Sequence, residues 1–351
     1  MVDPDASLQP LDFLRERYSR QMLFAGIGKE GQRRLLASSA VIVGCGAIGA
    51  AAAGLLVRAG VGRVRIIDRD FVEPSNLQRQ ALFDEADARA VLPKAVAAER
   101  KLRLINSSVS VEGIVADLTP GNIRELLSGF DLILDGTDNF ETRFLINDFA
   151  VQSLLPWIYA AAVAGYGVTM TVRPGVTPCL ACLLESPANG HGLEETCDTI
   201  GIFGPIVHLV ASLEVAEALK LLAGREEDLN SRLMSCDVWS GRFQSVRVGR
   251  NPACRACGCQ EFSYLAGEVQ PHITLCGRDS VQIHERRRNL DLAALRERLA
   301  ATARDVRHNE FLLCFRDDPY QVTVFADGRV ILKGTKDPSV ARSLYARYIG
   351  A

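Results

Sequence analysis

A glycine-rich turn followed by an acidic residue is the clearest chemical pattern in this sequence. Gly44, Gly46 and Gly49 come directly after the apolar run Ser39–Val43 and open a segment rich in small residues. Glycines at this spacing allow a tight turn that brings the backbone close to a phosphate, and the following helix offers free N–H groups. Asp68 comes roughly twenty residues later, where a carboxylate can bind ribose hydroxyls. The pattern therefore predicts a nucleotide site on a strand–turn–helix unit.

Further polar residues suit a triphosphate better than a lone pyrophosphate bridge. Asn76 and Arg79 follow the second apolar run, and Lys94 follows a proline at the start of a predicted helix. Arginine and lysine together can neutralise a chain of phosphates, since one offers a planar fork and the other a compact charge. Asp138 follows a third apolar run, where one carboxylate could hold Mg²⁺. Arg20 is a further candidate cation.

Two pairs of cysteines have the spacing of metal ligands. Cys179 pairs with Cys182, and Cys254 pairs with Cys257. Four thiolates in a tetrahedral array form a closed, structural zinc site. The pairs are too far apart in sequence for spacing alone to show that they meet, so a buried or redox-active pair is the alternative. Cys259 is a substitute candidate ligand.

Cys197 stands apart from these pairs, in a polar segment before the predicted helix Pro205–Leu222. A cation or a positive helix end beside it would favour the reactive thiolate form. The alternative is a partly buried cysteine with a structural role. The residues themselves leave both interpretations open.

Apolar runs alternate with helix-like segments through the first part of the chain, which predicts an α/β fold with a doubly wound, mostly parallel, Rossmann-like sheet. After Gly267 the pattern changes to short strands with the helix-like segments Leu292–Ala303 and Pro338–Tyr348, which predicts a small α+β domain. We therefore expect two domains, at residues 1–267 and 268–351. No catalytic motif is found from about residue 270 onward.

Composition limits the class of protein. The 351 residues suit two domains, and 48% apolar with 23% charged residues exclude wholesale disorder. Forty basic residues against forty-two acidic ones give no overall charge that would favour nucleic acid. No apolar run is long enough for a membrane span, and the N-terminus lacks a secretory signal. We expect a cytoplasmic protein, in which clustered cysteines indicate metal binding or catalysis rather than disulfides.

The sequence contains, in this order, the motifs RYSRQ, GCGAIG, IIDRDFVEPSNLQRQ, PK and DGTDN. These motifs resemble those of the E1-like (ThiF/MoeB/HesA-type) adenylyltransferase family, over about residues 13–262. The resemblance implies a homodimer that binds ATP, Mg²⁺ and Zn²⁺. Its implied residue roles are ribose binding by Asp68, phosphate contacts by Asn76, Arg79 and Lys94, Mg²⁺ binding by Asp138, contact of Arg20 with the partner subunit's ATP, and one zinc shared by the two cysteine pairs.

The resemblance also implies a reaction. The C-terminal glycine of a ubiquitin-like sulfur carrier protein, ending in Gly-Gly, is adenylated for sulfur transfer in cofactor biosynthesis or tRNA thiolation. The family includes members in which a cysteine at the position of Cys197 accepts the activated carrier, so one alternative is a thioester-forming activator for protein conjugation. From another class, the alternative is a non-enzymatic, NAD-binding redox regulator.

The region after residue 270 lacks the anion loop of a sulfurtransferase domain. We expect it to recruit a sulfurtransferase or an acceptor protein. Its deletion should then leave ATP–pyrophosphate exchange intact while weakening transfer to the partner.

Overall fold

The computed structural model describes residues 10–184, 199–268, 274–275, 280–283, 290–299, 303–335 and 337–349. Two sheets organise these residues. The first sheet has eight strands in the order β3-β2-β1-β4-β5-β6-β7-β8. Their bounds are β1 Ser39–Val43, β2 Arg63–Asp68, β3 Ser110–Val115, β4 Leu132–Asp135, β5 Trp157–Val163, β6 Tyr166–Val172, β7 Leu233–Asp237 and β8 Arg242–Val246.

Strands β1 to β5 are parallel, and β6 to β8 continue the sheet in antiparallel pairs. Crossover helices cover both faces, and each face has its own buried apolar cluster. Because β1 and β4 are covered on both sides, they are almost uniformly apolar. The α/β, doubly wound fold expected from the sequence is confirmed. The helices are α1 Pro10–Leu23, α2 Gly28–Ala37, α3 Ala47–Ala59, α4 Glu85–Arg89, α5 Lys94–Ile105, α6 Ile123–Leu127, α7 Phe140–Ser153, α8 Leu180–Leu183 and α9 Gly204–Leu222.

Strand register brings the ends of three strands to one edge. Val43 lies opposite Ile67 on one side and Asp135 on the other. The residues that follow these positions, Gly44, Asp68 and Gly136, therefore come side by side at the carboxyl edge. The strand order also reverses between β1 and β4, which is where ligands bind in open α/β sheets.

The second sheet is smaller and wholly antiparallel, in the order β11-β12-β13-β14-β10-β9. Its helices pack on one face, around a cluster that includes Leu295, Phe315 and Tyr345. This smaller α+β unit was also expected. Its bounds are β9 Thr274–Leu275, β10 Ser280–Ile283, α10 Leu292–Leu299, β11 Arg304–His308, β12 Leu312–Asp317, β13 Tyr320–Phe325, β14 Val330–Lys333 and α11 Pro338–Tyr348.

Within the described part of the chain, no helix has the length and apolar character that crossing a membrane requires. Cys197 lies outside the described residues.

Candidate active site and metal centre

Backbone contact between two glycines forms the floor of a crevice at the carboxyl edge of the first sheet. Gly44 has a φ of +88°, and a Cβ there would lie 2.4 Å from the Gly136 carbonyl oxygen. Only glycine allows this approach of the β1–α3 and β4–α7 turns. A Cβ on Gly49 would lie 1.9 Å from the Gly44 carbonyl oxygen, so Gly49 is required for packing between helix and turn. A Cβ on Gly46 would lie 3.7 Å from the Gly136 carbonyl oxygen, an ordinary contact, and Gly46 leaves the N-terminus of α3 without a side-chain cap.

Asp68 is fixed at the end of β2 by two backbone donors. Its carboxylate accepts hydrogen bonds from the Cys45 N–H at 2.5 Å and from the Asp70 N–H at 2.7 Å. Burial raises the pKa of Asp68 above its usual value, while the Lys94 ammonium and the two N–H donors oppose that rise. Each carboxylate oxygen retains a lone pair, so the group can still accept from two vicinal hydroxyls.

The segment between β2 and α5, residues 69–93, is called the 69–93 crossover below. Lys94, directly after it, is almost fully buried, and its Nζ lies 3.3 Å from an Asp70 carboxylate oxygen. Arg79 lines the crevice from the middle of the crossover, and its guanidinium donates to the Ser75 carbonyl at 2.8 Å. Asn76 is buried, and its Oδ1 accepts from the Glu73 N–H at 3.0 Å. Asn76 therefore holds the turn that presents Arg79.

A buried charge network holds the β4–α7 turn that carries Asp138. Arg143 donates to the Asp135 carboxylate at 2.9 Å and to the Thr137 carbonyl at 2.7 Å. The Asp135 carboxylate also accepts from the Thr137 N–H at 2.9 Å. From α9, the Glu214 carboxyl accepts from the Asp135 N–H at 2.9 Å. Asp138 is exposed at the crevice, so this network positions its turn without enclosing its carboxylate.

The Glu214 side chain is expected to make stability depend on pH. Burial raises the pKa of Glu214 well above its usual value, and the Asp135 carboxylate raises it further. Such a group contributes stability below its unfolded-state pKa of about 4.3 and loses it as pH rises through the folded-state pKa. Glutamine keeps the carbonyl acceptor and cannot ionise. Between the unfolded-state pKa and the folded-state pKa, the free energy of unfolding should therefore fall less steeply with pH in Glu214→Gln than in the wild type, by up to about 1.4 kcal/mol per pH unit.

Denaturant unfolding across that pH range measures the difference. The matched control is Glu227→Gln, at an exposed glutamate after the same helix. Parallel slopes for Glu214→Gln and the wild type would mean that Glu214 is ionised throughout.

The crevice has a volume of about 380 Å³, within the range of small-molecule sites. Its lining includes the apolar side chains Ile48, Ile67 and Leu118 together with charged ones. Of the residues expected from the sequence, the structure brings Gly44, Gly46, Asp68, Arg79, Lys94 and Asp138 to this crevice. Gly49 and Asn76 lie behind it, in supporting positions. Arg20 is exposed in the last turn of α1 and does not line it.

Sequence reasoning missed several charged residues of the crevice. Arg69 and Asp70 follow the β2 strand directly, so a search for polar residues after each predicted strand could have found them. The Arg69 guanidinium lies 3.1 Å from the Asp117 carboxylate. Asp117 follows β3 in the same way. Arg143, which pairs with the Asp135 carboxylate, and Glu214, which accepts from the Asp135 N–H, carry no such signal, because α7 and α9 bring them to the turn only in the folded chain.

The four cysteines of the two CxxC pairs meet in one cluster. Their sulfur atoms all lie within 4.8 Å of one another, with Cys179 Sγ 3.7 Å from Cys254 Sγ and Cys182 Sγ 3.4 Å from Cys257 Sγ. Ligand bonds of about 2.3 Å in a tetrahedron place sulfur atoms about 3.8 Å apart, so the cluster fits a four-thiolate metal centre. Cys259 is exposed and lies outside the cluster, with its sulfur 3.8 Å from the Ala253 carbonyl.

Comparison with known proteins places this geometry in a family. The chain is 47% identical over 338 residues to the sulfur carrier protein ThiS adenylyltransferase of Bacillus subtilis, covering 95% of this chain and 99% of that protein. It is 39% identical to a sulfur carrier protein adenylyltransferase of Thermus thermophilus, covering 69% of this chain and 90% of that one. The crystal structure of E. coli MccB with ATP matches 69% of this chain and 74% of its own, at 27% identity and a TM-score of 0.60. The ThiF family profile matches residues 18–256, and the chain therefore belongs to the ThiF family.

Proposed function

We propose that this protein adenylates the C-terminal glycine of a ubiquitin-like sulfur carrier protein with ATP, releasing pyrophosphate, so that sulfur can be transferred to the carrier. The observation that carries the proposal is the convergence of the glycine turn, Asp68, Arg79, Lys94 and Asp138 on one crevice. The likeness to a ThiS adenylyltransferase over nearly the whole of both chains supports it.

The residues that line the crevice suit the parts of ATP. Asp68 would accept hydrogen bonds from the ribose hydroxyls, and the apolar side chains of Ile67 and Leu118 would pack against the base. The uncapped N-terminus of α3 at Gly46 would face the phosphates, because its free N–H groups and helix dipole favour an anion. Asp138, an exposed carboxylate at the crevice, suits a Mg²⁺ ion, which when bound would screen the charge of the phosphates.

The reaction joins two anions. A carboxylate oxygen of the carrier's terminal glycine attacks the α-phosphorus, a new P–O bond forms, and the bond from the α-phosphorus to the bridging oxygen breaks to release pyrophosphate. Lys94 and Arg79 would reduce the repulsion and stabilise charge on the departing phosphates. No general base is needed, because the attacking carboxylate is ionised near neutral pH.

The rim of the crevice carries an exposed aromatic patch that we assign to the carrier. Trp239 is 82% exposed and Phe243 is 60% exposed, on or beside the last two strands of the first sheet. Trp239 packs edge-on against Phe203, at 5.7 Å between ring centroids. Tyr166 joins this patch to the crevice, since it lines the crevice and pairs with Asp237 on β7. A carrier seated here could extend its C-terminal tail towards the phosphates.

Replacing Trp239 with alanine should raise the KM for the carrier roughly 10- to 30-fold, as for an aromatic hot spot at an interface. The KM for ATP should change little. Steady-state pyrophosphate release measures both constants. Leu104→Ala is the control, because Leu104 is 88% exposed on α5. An unchanged carrier KM in Trp239→Ala would place the docking surface elsewhere.

The test of the function is carrier-dependent exchange of labelled pyrophosphate into ATP. The wild-type protein should catalyse exchange with an intact carrier, and not with a carrier that lacks its terminal glycine. ATP should also bind in preference to NAD. Binding of NAD alone, with no exchange, would favour a redox regulator and contradict the proposal.

Two further features belong to this proposal. We propose one Zn²⁺ per chain in the four-cysteine cluster, with a structural role, because four thiolate ligands fill the coordination shell and leave no open position for substrate.

We also propose a homodimer in which the exposed Arg20 reaches the nucleotide of the partner. Mixing inactive Arg20→Ala and Asp138→Ala subunits should restore about a quarter of the wild-type activity, since random pairing leaves half the dimers mixed with one complete site each.

A further inference from the structure

The smaller sheet packs its second face on the 69–93 crossover. Side chains alternate along β12, so Leu313 and Phe315 face the helices of their own unit, whereas Leu312 and Cys314 face the crossover. The second face buries Phe71 and Val91 of the crossover together with Leu312, Cys314, Phe325 and Ile331. The C-terminal unit is therefore anchored on the segment that presents phosphate-binding candidates.

Two polar side chains of the smaller unit contact this segment near its two ends, one by hydrogen bonds and the other by an ion pair. The Asn309 amide donates to the carbonyls of Ala90 and Val91, at 3.0 Å each. Asn309 is itself oriented, because its Oδ1 accepts from the Phe311 N–H at 2.9 Å. At the other end, Lys333 forms an ion pair with Glu73, and its Nζ lies 5.6 Å from the centroid of the Phe71 ring.

The Asn309 contact lies at a strained point of the backbone. Val91 has a φ of +51°, a conformation that β-branched residues rarely adopt and that costs free energy. Such a conformation persists only where the surroundings hold it. Here the surroundings are the Asn309 hydrogen bond to its carbonyl and the apolar contacts with the smaller sheet.

The two ends of the crossover run side by side into the crevice. Phe71 and Pro93 form an antiparallel bridge, and the Val72 N–H donates to the Leu92 carbonyl at 2.8 Å. The next step is the hydrogen bond from the Lys94 N–H to the Asp70 carbonyl, also 2.8 Å. Asp70 and Lys94 both line the crevice, so the contacted residues Glu73, Val91 and Ala90 lie three or four positions along the chain from it.

We propose that Asn309 and Lys333 are positioning residues for nucleotide binding, which hold the 69–93 crossover so that Lys94 and Arg79 are placed for the phosphates. The role rests on the proposed function, because it assumes that ATP occupies the crevice. It leads to a different expectation for the C-terminal region from that of the sequence alone: disturbing this region weakens ATP binding itself, before any transfer. Recruitment of a second protein by the outer surface of the same unit is compatible with this role.

The test uses the full-length protein and MgATP as the probe, in the absence of carrier. Asn309→Asp is nearly isosteric and keeps the Oδ1 acceptor, but it turns a carboxylate oxygen towards two carbonyls. Asn309→Asp and Lys333→Ala should each raise the Kd for MgATP roughly 5- to 20-fold. In a separate steady-state assay with carrier and saturating MgATP, the KM for the carrier should stay within about twofold, whereas a general loss of folding would alter both constants. Lys333→Arg should restore the wild-type Kd, since it keeps the cation over Phe71 and beside Glu73.

The matched control is Arg304→Ala, on the same sheet, where an 83% exposed arginine pairs with Asp318 of its own unit. Hydrogen exchange of residues 70–94 supplies a second measurement, which should be faster in both variants even where their melting temperatures match the wild type. If the wild type binds MgATP and the variants bind it equally well, the positioning role is wrong. If the wild type does not bind MgATP, the proposed function itself is contradicted, and the positioning role is contradicted with it.

Discussion

Replacing Asp138 with alanine should lower carrier-dependent ATP–pyrophosphate exchange roughly 10²- to 10³-fold, the loss expected when one electrostatic stabiliser is removed from a preorganised site. The Asp138 carboxylate is exposed at the crevice, beside a turn that the Asp135–Arg143 ion pair holds rigid. Truncation therefore removes the proposed Mg²⁺ ligand without disturbing the turn. The variant should also need more Mg²⁺ to reach half of its remaining activity.

Exchange assays over a range of Mg²⁺ concentrations measure both effects. The matched control is Asp131→Ala, since Asp131 lies at the opposite end of β4 and accepts from the Ser39 N–H at 2.7 Å. This control should lose some stability and keep its exchange rate per folded molecule. Equal exchange and equal Mg²⁺ dependence in Asp138→Ala and the wild type would exclude Asp138 as the ligand.

The second large effect concerns the four-cysteine cluster. Cys182→Ser should lower the zinc content from one ion per chain to nearly none, because a hydroxyl is a poor replacement for a thiolate in a closed site. Metal binding to such sites contributes directly to folding. If about 5 kcal/mol is lost, the melting temperature should fall by roughly 10–20 °C. Elemental analysis and thermal unfolding of the same preparation measure the two quantities.

Cys259→Ser is the matched control, at a cysteine five positions from Cys254 but outside the cluster. It should keep the metal and its melting temperature. Loss of zinc from Cys259→Ser together with retention in Cys182→Ser would mean that Cys259 is a ligand in place of Cys182.

Local sequence rules correctly predicted where in the fold the centre of the crevice lies. Gly44, Gly46 and Asp68 are found by strand-end and turn rules, because their conformations depend on neighbours in sequence. The pairing of the two CxxC motifs came only from family resemblance, since segments 75 residues apart must be joined by tertiary structure. Arg143 and Glu214 could not be predicted, because a buried charge is recognised only once its partners surround it.

The strand and helix pattern was incomplete where periodicity is weak. The stretch Trp157–Val163 is apolar along its whole length, which suits a buried strand or a helix equally well. Helix Phe140–Ser153 is buried on most sides, so it has little amphipathic signal. The packing of the smaller sheet on the 69–93 crossover has no local signature at all. Contacts such as Asn309 with Val91, 218 residues apart, are set only by the final arrangement of the two units.

With the proposed Zn²⁺ bound, the four-cysteine cluster would also act as a long-range cross-link. It would join residue 179 to residue 254, and the enclosed stretch contains α9, Trp239 and Phe243. A cross-link of this kind would restrict the conformational entropy of the chain segment that it encloses. Since α9 carries Glu214, which accepts from the Asp135 N–H three residues before Asp138, loosening of this cross-link would disturb the crevice and its rim. Chelation of this metal, or oxidation of the thiolates, would then weaken the proposed nucleotide site, although none of the four cysteines lines it.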